Sequence, residues 1–220
     1  MLDKISIPNY SFKQEKFNSI SHFIGVPIGF IILVTSFILL SLKTIRFDFF
    51  VGLFIYSISI ISLYFASGLY HSESADNTNS KKIKRVLDHC TIYVLIAGTY
   101  TPICLYLASI TYVGYILLAV EWFLAIIGIA INAIDFSNIY VKIISMVLYL
   151  GLGWLILFSG QFIYLPFESF LFILIGGIIY TIGSILYGIG HKKIYFHSIF
   201  HIFVLIGTIL QAIGVLLLFI

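Results

Sequence analysis

The sequence predicts an all-α membrane protein, a bundle of seven transmembrane helices with its N-terminus in the cytoplasm and its C-terminus outside. Three observations carry this. Of the 220 residues 61% are hydrophobic and only 10% charged, with a mean hydropathy of +1.12, whereas soluble domains carry about 25% charged residues. The apolar residues gather into runs of roughly the 20 positions that a spanning helix needs. Finally, the Lys and Arg residues fall overwhelmingly on one side of the topology these runs imply.

Residues 1–20 form a polar cytoplasmic segment with Lys4, Lys13 and Lys16. They lack an apolar h-region, so no secretory signal is predicted and the first span is expected to direct insertion. The spans follow at 21–42, 48–70, 88–108, 112–133, 139–163, 168–189 and 195–220. They make up one domain, 21–220, and the only long polar loop is 72–86. Cys90 and Cys104 lie in one predicted helix, about 21 Å apart at roughly 1.5 Å per residue. They cannot bridge and read as small packing residues.

The N-terminus and the loops after spans two, four and six together carry ten Lys or Arg, while the other side has only Lys43 and Arg46. The positive-inside rule therefore puts the N-terminus in the cytoplasm. The formal net charge of +3 is small and scattered, so no nucleic-acid partner is expected.

This topology gathers chemistry at one membrane depth. The second span ends inside at His71, the third begins there at Asp88, and the seventh begins there with His197 and His201. The histidines enter nowhere in the charge count, so the agreement is independent. Residues four apart share a helix face, which lets His197 and His201 aim at one ion, with His71 as the third ligand. Three histidines with an open fourth position form a catalytic zinc arrangement. Asp88 would offset the charge, by orienting a water or by ligating directly. Ser67, one turn from His71, would donate to that water or to an oxyanion.

These residues sit in recognisable blocks. LDHCTIYVLIAGTYTP (87–102) resembles the third-helix signature of the hemolysin III family, which belongs with the progestin and adipoQ receptors, among them the adiponectin receptors. Glu15, Asn18, His22 and Gly25 match its ExxNxxxHxxG pattern, and Ser67 and His71 its SxxxH. GGIIYTIGSILY (176–187) and FHSIFHIFVLIG (196–207) resemble its closing block. The resemblance implies a seven-helix bundle with zinc held by His71, His197 and His201 near the cytoplasmic face, and Asp88 and Ser67 adjacent. Gln211 departs from the family, where many relatives carry histidine. Ten residues beyond His201, it lies about 15 Å along the helix, too far to ligate.

Other polar residues have competing readings. His22 either supports the ligands from behind or caps and packs the first helix. His89, about 100° around its helix from Asp88, is read as facing a neighbour, with a supporting role also open to it. His191, beside Lys192 and Lys193, reads as a solvated loop residue. Glu121 falls near the middle of the fourth span, where a bare carboxylate is expensive. It is either protonated and hydrogen-bonded inside the bundle, the favoured reading, or it lines a wet cavity.

The expected activity is zinc-dependent hydrolysis of a lipid amide or ester, since the wider superfamily includes alkaline ceramidases. Membrane lipids would be the partners, as acyl substrate or as source of a free fatty acid product. The alternatives are a cytolysin-like, haemolytic pore former, and a receptor-like regulatory protein with a structural zinc.

Overall fold

The computed structural model describes residues 2–74, 76–189 and 195–220. Among them all regular secondary structure is helical: α1 (Phe12–Phe23), α2 (Val26–Ser41), α3 (Phe47–Ser72), α4 (Thr78–Ala108), α5 (Val113–Asp135), α6 (Ile139–Gly153), α7 (Leu155–Phe158), α8 (Phe167–Ile189) and α9 (Phe196–Leu216). Short 3-10 turns lie at Leu2–Lys4 and Gln161–Tyr164.

A capping box starts α1. The Ser11 hydroxyl accepts from the Gln14 amide at 3.4 Å, and the Gln14 side chain accepts from the Ser11 amide at 2.8 Å. The helix passes Gly25, where a side chain would strike the Tyr64 ring, and continues into α2 behind Pro27. Together they form one 30-residue span, Phe12–Ser41. Helix therefore begins well before the apolar run at 21, because the polar side chains of α1 are buried against protein: Gln14, Asn18, Ser19, Ser21 and His22.

α4 likewise starts at Thr78, inside the stretch expected to be a polar loop. Hydropathy marks where a helix meets lipid and is silent on a polar turn that meets partners. Here Lys81 donates to Glu15, Lys84 pairs with Glu73, and Arg85 donates to the Ser6 carbonyl.

Six helical stretches among the described residues are long and apolar enough to cross a membrane, which corrects the expected seven spans. The fifth predicted span, 139–163, is broken. Its helix stops at Gly153 and resumes as the single turn α7. The cause is Tyr100 of α4, whose hydroxyl donates to the Gly153 carbonyl at 2.9 Å and accepts from the Ile156 amide at 3.2 Å. A side chain inserted into the backbone ladder in this way bends or breaks a helix. Beside the break, Trp154 donates to Thr181 at 3.0 Å.

α3 and α4 form the centre, burying Leu53, Tyr56, Ile60 and Tyr64 from one and Tyr93, Ile103 and Leu107 from the other. α2 buries only Gly29, Ile32 and Ser36. Its Phe30, Ile31, Val34, Phe37 and Ile38 are exposed, a surface suited to lipid and not to water. In lipid, close packing and buried hydrogen bonds hold helices together. The Ser169 hydroxyl on α8 donates to the Gly214 carbonyl on α9 at 2.6 Å, a contact that a side chain on Gly214 would prevent.

Contacts define the two ends of the bundle. At one, His71 at the end of α3 meets Glu15 at the start of α1 and His197 at the start of α9. At the other, Phe49 packs on Phe219 with ring centres 5.0 Å apart, and Tyr106 lies beside them.

Candidate metal centre

His71 ends α3, while His197 and His201 stand one turn apart on α9. Their ligating nitrogens all lie within 4.8 Å of one another. The His197 Nε2 is 3.2 Å from the His71 Nε2 and 3.0 Å from the His201 Nε2. Tetrahedral zinc–imidazole bonds of about 2.0–2.1 Å would separate nitrogens by about 3.3–3.4 Å.

The outer ring nitrogens set the tautomers. His71 Nδ1 donates to the Glu15 carboxylate at 2.6 Å, and His201 Nδ1 donates to the Asn18 carbonyl at 3.3 Å. A neutral imidazole that donates from Nδ1 carries its lone pair on Nε2. The Nε2 lone pairs of His71 and His201 therefore both meet the His197 Nε2 in a buried space, where His197 has at most one proton to give, whereas a cation would take all three nitrogens. The residues present fit a metal ion.

The surroundings of the centre come from several helices and the N-terminal segment before α1. The Tyr10 ring stacks on His197, 5.0 Å between centres and 14° from parallel. Burial pushes the Tyr10 phenol up, so it stays neutral. Ile5 is buried and Ser6 is held by Arg85, so this segment lies across this end of the bundle. His22 packs its ring 3.7 Å from that of His201, and neither of its nitrogens has a hydrogen-bond partner among the described residues.

A cleft opens onto His197 and His201. Asp88, Ser67 and His22 line it together with His197 and His201, and the Ser67 hydroxyl has no partner among the described residues. Its deeper walls are apolar, including Ile92, Leu95, Ile96, Leu150 and Val204. His89 turns to the Arg85 carbonyl at 3.0 Å and the Tyr187 hydroxyl at 3.4 Å, and packs edge-on against Phe136.

Glu121 lies apart from this site. It is fully buried, and both carboxyl oxygens are without a hydrogen-bond partner among the described residues, contrary to the favoured expectation. Gln211 lines the cleft and donates to the Ile173 carbonyl at 3.5 Å. His191, Lys192 and Lys193 lie outside the described residues.

Sequence reasoning passed over Glu15 and Lys81 as site residues. The signal was present: Ser11 and Gln14 spell a capping box, and a helix starting there puts Glu15, Asn18 and His22 on one face at i, i+3 and i+7.

Fold and site together define a multi-pass membrane protein with three convergent histidines at one end of its helices. The chain belongs to the family described as "Haemolysin-III related", whose match covers residues 10–212. It is similar to "Hemolysin-3 homolog" of Bacillus subtilis (strain 168), at 37% identity over 204 residues, 90% of this chain and 91% of that protein. It is also similar to "Hemolysin-3" of Bacillus cereus, at 36% identity over 210 residues, 94% and 93% of the two chains.

Proposed function

We propose that this protein is a zinc-dependent membrane hydrolase acting on an acyl amide or ester of a lipid, with the histidine end of the bundle facing the cytoplasm. The observation that carries the reading is an apolar cleft lined by two of the three convergent histidines, His197 and His201, together with the Asp88 carboxylate and a Ser67 hydroxyl that has no partner among the described residues. His71, His197 and His201 would hold the ion. Bound zinc would polarise a carbonyl and lower the pKa of a water molecule toward 7.

The chain's own groups do the rest. The apolar walls take the acyl chain and exclude water from it. Ser67 Oγ donates a hydrogen bond to the substrate carbonyl oxygen as charge develops there. Asp88 takes a proton from the attacking water and returns it to the departing nitrogen or oxygen. The decisive assay screens lipid amides and esters with purified protein and a zinc-stripped control. Release of free fatty acid by the loaded protein alone is expected. No hydrolysis of any substrate with zinc present would sink the reading. The relatives' names carry a second one, lysis of membranes by the chain itself, which haemolysis surviving the loss of the histidines would favour.

The orientation rests on charge. Lys4, Lys13, Lys16, Lys81, Lys82, Lys84, Arg85 and Lys142 belong to segments at the histidine end, whereas Lys43 and Arg46 sit at the other. Single cysteines at positions 76–80 should react with membrane-impermeant reagents only once the cytoplasmic face is opened. Labelling in intact cells would reverse the topology.

A further inference from the structure

Two of the three histidines share a helix, so their relative position follows from α9 alone. His71 comes from α3, and something must hold it in register with the other two. The described contacts make α1 the splint. Ser19 Oγ donates to the Gly68 carbonyl of α3 at 3.0 Å, and Ser198 Oγ of α9 donates to the Asn18 side chain at 2.7 Å. On the same helix, the Asn18 carbonyl takes His201 Nδ1 and the Glu15 carboxylate takes His71 Nδ1.

Glu15 is itself held at both oxygens. One accepts from His71, the other from Lys81 Nζ at 2.7 Å, and Lys81 also donates to the Glu73 carbonyl at 2.8 Å. Lys81 is only 2% exposed. A long cation buried this far is kept by partners and not by solvent. The metal ligand, the carboxylate and the lysine thus form one chain across three segments distant in sequence.

We infer that Glu15 is a positioning residue that sets the affinity of the site for its metal, and that Lys81 contributes only through Glu15. This rests on the metal reading above. The carboxylate locks His71 with its proton on Nδ1 and its Nε2 lone pair toward His197, and it raises the basicity of that nitrogen. Lys81 keeps the carboxylate from swinging out to the surface. Carboxylates behind a ligating histidine are typically worth about 10–100-fold in metal affinity.

The test measures the zinc dissociation constant of the detergent-purified full chain by competition with a chromophoric chelator. Glu15→Gln should weaken binding about 10–100-fold. Lys81→Met should weaken it less, and the double variant should bind no worse than Glu15→Gln to within about twofold, because residues acting through one another do not add. Ser19→Ala breaks the α1–α3 hydrogen bond but leaves the Glu15–His71 contact in place, so it should weaken affinity less than Glu15→Gln and leave the absorption bands of the cobalt-loaded chain unchanged. A role in packing alone would instead make Ser19→Ala as damaging as Glu15→Gln. Should Glu15→Gln not fold, Lys81→Met carries the test, and wild-type affinity in it overturns the inference. Wild-type affinity in Glu15→Gln, or strict additivity in the double variant, does the same while leaving the metal reading intact. A wild-type chain that binds no zinc overturns both.

Discussion

His197→Ala or His201→Ala is expected to strip most of the metal from purified protein that otherwise carries about one zinc per chain. Each substitution removes one of three donors and leaves a void where an imidazole stood. The remaining two nitrogens cannot surround a dication in a site this buried. Because the ion binds the folded site, its binding free energy is linked to stability. At free zinc about 100 times the dissociation constant, the linkage is worth about 2.7 kcal/mol. Zinc should therefore raise the thermal midpoint of wild type and not that of the variants. Gln211→Ala is the control on the same helix, since its side chain reaches Ile173 and not the histidines. Full metal content in both histidine variants, measured by elemental analysis, would end the assignment.

The second large effect separates chemistry from scaffolding. Asp88→Asn is expected to keep the metal, since three imidazoles remain, yet to lose turnover on a lipid amide or ester. Proton transfer by a placed side chain is typically worth about 10²–10⁴-fold, and the loss should fall mainly on kcat because the apolar cleft still binds the substrate. Ser67→Ala should cost less, about 10–10³-fold by comparison with single oxyanion donors. If the zinc were structural, Asp88→Asn would weaken metal retention and stability together, with no turnover to lose. An Asp88→Asn variant that hydrolyses as fast as wild type would refute the mechanism.

Two errors of the sequence reading, at the start of α1 and the start of α4, share a cause. Hydropathy places helix where side chains face lipid, so α1 and the first turns of α4 were invisible to it. Both are polar turns packed against protein. Their hidden register put Glu15 beside His71 and Lys81 beside Glu15. The broken span failed in the opposite way. Residues 139–163 are apolar enough to span, and Gly151 and Gly153 permit a break there without requiring one. The interruption comes from Tyr100, on a different helix.

The sequence alone determined that this is a helical membrane protein of the family named above, and which histidines come together. The length and apolarity of the runs, their alternating direction and the four-residue spacing on α9 are local or additive properties of the chain. Only the tertiary structure decided what stands behind those histidines and what lies before them. A hydrogen bond from His71 to Glu15, a tyrosine lodged in another helix's backbone and a cleft walled by several helices arise between segments far apart in sequence. Such contacts depend on distances of a few ångströms between side chains, and no periodicity along a single segment encodes them.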